Sequence, residues 1–262
     1  MNLQIANQLA LVSASTKGIG LAIARALAAE GARVIVNGRT AAAVDEAVKR
    51  ILADVPQARL EKFPGDLANA GVATQLAAAF PQVDILVNNL GIFDPKPFAE
   101  IPDAEWQRFF DVNVLSGVRL SRLYFPGMLK RNQGRIVFIS SESALHIPEE
   151  MIHYGMTKTA QLAVARGLAE LTVGTAVTVN SVLPGPTRSE GVEEFVNKLS
   201  GGQPFAAFEK EFFQKVRPTS LLKRFETVDE IAHVVAFVCS PLAAGMNGSS
   251  IRVEGGLVKA IA

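Results

Sequence analysis

Short apolar runs rich in β-branched residues alternate along this chain with longer stretches whose apolar positions recur every three or four residues. The runs predict strands at Leu9–Ser13, Arg33–Asn37, Leu60–Phe63, Val83–Asn88, Arg135–Ser140, Ala176–Val182 and Ser250–Val253. The helical spacing predicts helices at Gly18–Glu30, Ala41–Asp54, Ala70–Phe80, Asp103–Arg131, His153–Leu171, Gly191–Leu199, Ala206–Val216 and Val228–Cys239. Pro126-Gly127 predicts a bend in the longest of these. Strand followed by helix, repeated, calls for parallel strands joined by right-handed crossovers. That gives an α/β fold, a doubly wound parallel sheet with helices on both faces. The strands are apolar at nearly every position, as a sheet covered on both faces demands. No linker, repeat or shift in composition divides the chain, so residues 1–262 are expected to form a single domain. Residues 188–217 break the rhythm with Gly201-Gly202 and Pro204, and are expected to be a substrate-binding lid within that domain.

Composition narrows the picture. Hydrophobic residues make up 49% and charged residues 19%, enough for a large core and unlike a disordered chain. A net charge of +1 predicts no general attraction to nucleic acid or acidic membranes. Cys239 is the only cysteine, so no disulfide forms within the chain, which fits a reducing compartment. The first residues lack a basic start before an apolar run, and no stretch approaches the ~18 apolar residues of a membrane span. A cytoplasmic protein is the expectation.

The first strand runs into Ser13-Ala14-Ser15-Thr16-Lys17-Gly18-Ile19-Gly20 and then a helix. Gly18 and Gly20, without Cβ atoms, would let backbone N–H groups approach a pyrophosphate at the positive helix end. The bland alternative is a glycine-rich turn with no ligand. The second strand ends in Asn37-Gly38-Arg39. In dinucleotide folds an acid near here binds the ribose hydroxyls, and an arginine accommodates a 2′-phosphate. The acid is absent, Gly38 lies 18 positions after Gly20, and Arg39 follows with Lys17 beside the same turn. Two solvated surface cations are the alternative.

Tyr154 and Lys158 stand four apart on a predicted helix and share a face. A cation beside a phenol favours tyrosinate and suits general acid–base work, although the spacing alone more often marks a surface pair. Ser141 ends the strand 13 positions earlier, where open α/β sheets bind ligands; a helix cap is the alternative.

Together these residues resemble the short-chain dehydrogenase/reductase family over nearly the whole chain. The first turn resembles the family's T-G-x-x-x-G-I-G, and Asp66-Leu67 its adenine-contacting pair. Asn88-Asn89-Leu90-Gly91 is similar to N-N-A-G, and Asn113 lies 41 positions before Tyr154, where the family has a catalytic Asn. Ser141, Tyr154 and Lys158 fit its Ser and Y-x-x-x-K. Pro184-Gly185 with Thr187 and Ser189 resembles the segment beside the nicotinamide, and Glu254-Gly255-Gly256 the D-G-G of the last strand. Three departures stand out: Ala14 for the first glycine, Leu90 for alanine, and Ser189 for threonine.

The resemblance implies a Rossmann-type oxidoreductase moving a hydride between NADP(H) and a carbonyl or alcohol substrate. Tyr154 would be the general acid/base and Ser141 would hold the carbonyl oxygen. Lys158 would bind the nicotinamide ribose and lower the Tyr154 pKa, and Asn113 would hold a water of the proton relay. The cofactor set would be Ser15, Thr16, Lys17, Gly18, Ile19, Gly20, Arg39, Asp66, Leu67, Asn88, Gly91, Tyr154, Lys158, Pro184, Gly185, Thr187 and Ser189, with no metal. The resemblance also implies a homo-oligomer, most often a tetramer. Two apolar or small faces on the Tyr154 helix agree with it: Ala160, Ala163 and Gly167 on one side, Leu162, Ala165 and Ala169 on the other.

Other readings stay open. A nucleotide-sensing or regulatory protein could keep this fold with catalysis lost, and an interaction protein would need no dinucleotide. His146 and His153 flank the site in sequence without a supporting ligand cluster. Glu142 either faces the substrate or is ordinary helix-start charge, the reading preferred for Glu149-Glu150. Phe195, Phe205, Phe208, Phe212 and Phe213 either pack the lid on the core or line an apolar pocket.

Overall fold

The computed structural model describes residues 1–199 and 204–261, with the side chains of residues 194, 195 and 197–199 excepted. Strands β1 (Leu9–Val12), β2 (Arg33–Gly38), β3 (Arg59–Pro64), β4 (Ile85–Asn88), β5 (Arg135–Ile139), β6 (Thr178–Pro184) and β9 (Ser250–Val253) form one sheet. All its pairs are parallel, in the order β3-β2-β1-β4-β5-β6-β9. This is the doubly wound, Rossmann-type sheet that the alternating pattern predicts. Two short strands escape that pattern. β7 (Thr187–Arg188) and β8 (Glu226–Thr227) pair with each other, and two residues are too few to show a period.

The period of two along each strand divides the core. Ala10, Val12, Val34, Val36, Val137 and Ile139 face one side, against helices α1 (Gly18–Ala29), α2 (Ala41–Asp54) and α9 (Val228–Val238). Leu11, Ile35, Leu86, Ile136 and Phe138 face the other, against α3 (Ala70–Ala79), α5 (Ser116–Arg131) and α6 (Ile152–Glu170). Several helix starts are written in the sequence as caps. Thr40 accepts from the Ala43 N–H, Asn69 accepts from Gly71 and Val72, and Thr227 with Glu230 closes a capping box.

The long helix expected over Asp103–Arg131 is three pieces. α4 (Asp103–Phe110) passes through a π-helical turn at Asp111–Leu115 into α5. Pro126, where a bend is expected, lies inside α5, which runs unbroken to an Asn132 cap at φ 53°. The irregularity falls instead around Asn113, and π turns are frequent at functional sites. Residues 188–217, expected to be a lid, include α7 (Glu190–Leu199) and α8 (Phe205–Lys215); Gly201-Gly202 and the Phe195 side chain lie outside the described residues. Among the described residues no helix is long and apolar enough to cross a membrane.

Candidate active site

β1 feeds β2 on one side, whereas β3 crosses back to β4 on the other, and a crevice opens at that switch. Here the carboxyl ends of the strands border a cavity of about 420 Å³. One end is bounded by Lys17, Gly18, Ile19 and Gly20; Ser141, Tyr154 and Lys158 bound another part, with Pro184, Gly185, Thr187 and Ser189 alongside.

The glycine turn is shaped by backbone demands. Gly18 sits at φ +54°, and a Cβ on Gly20 would come within 2.4 Å of both the Ala14 carbonyl oxygen and Asn89 Nδ2. Ala14, in place of the family's glycine, is itself left-handed at φ 52°. It is held by two asparagines: its N–H donates to Asn37 Oδ1 at 3.0 Å, and its carbonyl accepts from Asn89 Nδ2 at 3.1 Å. Gly18 N–H already meets an anion, the Glu190 carboxylate at 3.3 Å, and Ser189 stands over Gly18.

Several residues expected at the cofactor are engaged in the fold. Ser15 Oγ accepts from the Asn37 N–H at 2.9 Å, and Thr16 packs so closely on Gly38 that a Cβ there would lie 2.3 Å from its methyl. Asp66, exposed at the end of β3, accepts from the Ala68 N–H at 3.0 Å, while Leu67 is core. Asn88 is turned away from the crevice, donating to Ser121 Oγ at 3.2 Å; its neighbour Asn89 lines the cavity. Leu90 packs against the core cluster and does not line the cavity. Arg39 is exposed, and no hydrogen bond or ion pair holds it among the described residues.

At the other end β5 and α6 are tied together. Ser140 Oγ donates to the Lys158 carbonyl at 2.9 Å, which leaves the next hydroxyl, Ser141, on the cavity. Lys158 Nζ lies 5.5 Å from the centre of the Tyr154 ring and donates to the Ile139 carbonyl at 3.0 Å and to Gln161 Oε1 at 3.3 Å. Gln161 in turn donates to the Asn113 carbonyl at 2.6 Å. The Asn113 side chain clamps Ile92 at both backbone atoms, at 2.7 and 3.0 Å, and donates to Thr157 Oγ1 at 3.0 Å. Asn113 is therefore joined to the Tyr154 helix through Thr157 and Gln161. The Gln161 amide takes up the Asn113 carbonyl.

The electrostatics depart from expectation. Burial first, and then the Glu142 carboxylate, push the Tyr154 phenol well above its ordinary pKa; only its hydrogen bond with Ser141 acts the other way. Burial brings Lys158 down to about 8, with Glu142 opposing. The expected lowering of Tyr154 by Lys158 is thus corrected. Sequence spacing reveals the cation but neither the desolvation nor the second charge.

That charge is buried. Ser141 Oγ donates to Glu142 Oε2, and Glu142 Oε1 lies 3.5 Å from Arg217 Nε. Of the phenylalanines in residues 188–217, Phe208 and Phe212 line the cavity while Phe213 is buried with Phe225, so packing and cavity lining both occur. His153 lies in the core with its ring centre 4.0 Å from that of Phe109, and burial lowers its pKa. Among the described residues no group of three or more His, Cys, Asp or Glu is set to hold a metal.

Asn89, present only as part of the Asn88-Asn89-Leu90-Gly91 stretch, and Gln161 and Arg217 are not among the residues expected at the site. Gln161 was findable, since it stands three after Lys158 on one helix face. Arg217, 75 positions after Glu142, left no local signal.

Comparisons with known proteins agree on the family. The family described as Enoyl-(Acyl carrier protein) reductase matches residues 13–258. The chain is 47% identical over 263 residues to the uncharacterized oxidoreductase YvaG of Bacillus subtilis, covering 100% of both proteins. It is 30% identical over 264 residues to the 3-oxoacyl-[acyl-carrier-protein] reductase FabG of Aquifex aeolicus, covering 98% of this chain and 100% of that protein. Among solved structures it is similar to L-sorbose reductase from Gluconobacter frateurii complexed with NADPH and L-sorbose. That likeness has a TM-score of 0.92, 27% identity and full coverage of both chains. With the parallel sheet and the Ser141, Tyr154 and Lys158 cluster, these matches make the chain an oxidoreductase belonging to the short-chain dehydrogenase/reductase family.

Proposed function

We propose that the protein transfers a hydride between NADP(H) and a carbonyl or alcohol substrate, with Tyr154 as general acid or base. The observation that carries this reading is the meeting of Ser141, Tyr154 and Lys158 on a cavity that also borders the glycine turn. The turn fits a dinucleotide, because Gly20 has no room for a Cβ and the Gly18 N–H already donates to a carboxylate, that of Glu190. The nicotinamide, when bound, supplies or receives the hydride.

The chain's own residues manage the proton. Ser141 orients the carbonyl oxygen. Tyr154, whose raised pKa favours the phenol, gives its proton to that oxygen during reduction; in the reverse direction it is the phenolate of Tyr154 that takes the proton from the alcohol. Lys158 offers its ammonium to the cofactor ribose, and Gln161 positions it from the carbonyl of Asn113. Preference for NADP(H) is supported by unpaired, exposed Arg39, by Lys17, and by the absence of an acid at Gly38. The NADPH named with L-sorbose reductase supports the same choice. Asp66, Gly91, Thr187 and Ser189 complete the proposed cofactor contacts. A tetramer is supported by the small exposed positions Ala163 and Gly167 on α6.

The test is a panel of ketones and alcohols read by reduced-cofactor absorbance with NADP(H) and NAD(H). Turnover of at least one carbonyl, with higher kcat/KM for NADPH, is expected. Cofactor binding without turnover of any member would favour the silent nucleotide-binding alternative.

A further inference from the structure

The corner of the cavity beyond Ser141 holds more charge than a carbonyl requires. Glu142 is 5% exposed and Arg217 is 5% exposed, and both line the cavity. Arg217 Nη1 is 2.9 Å from Glu150 Oε1 and also donates to the Val216 carbonyl at 3.1 Å. Its Nε, 3.5 Å from Glu142, is buried without a hydrogen-bond partner. The guanidinium carbon lies 5.7 Å from the centre of the Phe212 ring. Two carboxylates thus share one guanidinium, and each of the buried pair keeps hydrogen-bonding capacity. Groups buried in this way are poor company for a purely apolar substrate, which would strip their remaining water and return nothing.

The charges also discriminate among polar substrates. A carboxylate or phosphate next to the reacting carbonyl would face Glu142, and would find Arg217 already paired with Glu150. An ammonium would face Arg217 and Lys158. A neutral hydroxyl suits both partners, donating to the carboxylate and accepting from the arginine.

A second consequence follows from the proton count on Ser141. A serine hydroxyl has one hydrogen, and that of Ser141 is given to Glu142 Oε2. While it stays there, Ser141 cannot donate to a substrate carbonyl oxygen. A substrate hydroxyl that donates to Glu142 in its place frees the serine hydrogen for the neighbouring carbonyl.

On the reading that this site reduces carbonyls, we infer that its substrates are neutral, hydroxylated carbonyl compounds of the ketose type. The hydroxyl on the carbon beside the carbonyl is recognised by Glu142 and Arg217. The aromatic faces of Phe208 and Phe212 are left for the C–H side of the same molecule. Glu142 is then a specificity residue that also gates the donor capacity of Ser141.

The experiment compares kcat/KM for matched ketones that differ in one adjacent hydroxyl: acetoin against methyl ethyl ketone, and hydroxycyclohexanone against cyclohexanone. A ketohexose and its deoxy analogue at the adjacent carbon complete the set. Wild type is expected to favour the hydroxylated member by about ten- to a hundredfold, the worth of one hydrogen bond to a charged group. In Glu142→Gln the ratio should collapse toward one, because the loss falls mainly on the hydroxylated member. Equal or better use of the plain ketones by wild type would overturn the inference, and that measurement stands whether or not the variant folds. A variant that folds, binds cofactor and keeps the full ratio would overturn it too. If no member of any pair is turned over with either cofactor, the reductase reading itself fails, a result distinct from turnover without preference.

Discussion

The two ends of the cavity are made of different material. At the dinucleotide end the shape is set by backbone: a glycine at φ +54°, an alanine at φ 52°, and a helix start whose Gly18 N–H donates to the Glu190 carboxylate. At the substrate end it is done by buried side chains, with Glu142, Arg217, Tyr154 and Lys158 crowded into one desolvated corner. Backbone contacts have little freedom, since any added atom at Gly20 collides with Ala14 and Asn89. Side-chain contacts can be exchanged one at a time without moving the sheet. On the proposed reading, the fold would hold its cofactor by steric necessity and select its substrate by replaceable charges.

The contrast can be broken most forcefully at the phenol. Tyr154→Phe should lower kcat by ~10²–10⁴, the usual worth of general acid–base catalysis, while leaving cofactor binding nearly intact. A variant retaining about a third of wild-type kcat would remove Tyr154 from its role. The next effect concerns Glu226, whose carboxylate accepts from the Gly185 N–H at 3.0 Å beside the cavity. Burial raises its pKa to about 7, with Glu230 and Glu254 adding and the Gly185 hydrogen bond opposing. The folded state then holds this proton more tightly than the unfolded chain does. Stability should fall as pH rises from about 4.5 to about 7 and level off above. Glu226→Gln should flatten that slope and stabilise the protein at pH 8 by up to about 3 kcal/mol, read by urea unfolding at several pH values. Equal slopes for the two proteins would show that Glu226 titrates as an ordinary carboxylate.

Smaller effects sharpen the backbone end. Gly20→Ala should cost about 1–3 kcal/mol of stability and weaken cofactor binding, because Ala14 and Asn89 must give way. An unchanged unfolding midpoint and Kd would mean the turn has slack. Arg39→Ser should reduce the preference for NADPH over NADH by about tenfold, measured as the two dissociation constants. An acid at Gly38 is the less clean test, since Thr16 already fills that space. Equal wild-type affinities for the two cofactors would return Arg39 to ordinary solvated surface.

Much of the backbone end was legible in the chain. The spacing of Gly18 and Gly20 after an apolar run places a turn between strand and helix, and the Tyr154 and Lys158 interval places both on one face. What stayed hidden was long-range or irregular. The π turn at Asn113 keeps the same apolar spacing as an ordinary helix, so the pattern reads straight through it. Asn88 and Asn89 are adjacent and identical in type, and only the direction of β4 decides which one meets the crevice. The raised pKa of Tyr154 depends on desolvation and on Glu142, quantities that no interval records. Arg217 reaches Glu142 across the fold from the end of the 188–217 segment, whose course the sequence left open.

Direct hydride transfer to a carbonyl under the control of Tyr154 is the step proposed for this site. It is tested most directly with NADPH deuterated at the transferable position and a hydroxylated ketone, the product being read by mass spectrometry for wild type and Tyr154→Phe. The account predicts one deuterium on the carbinol carbon of the wild-type product and almost no product from the variant. Product without deuterium, or equal labelled product from both proteins, would contradict it.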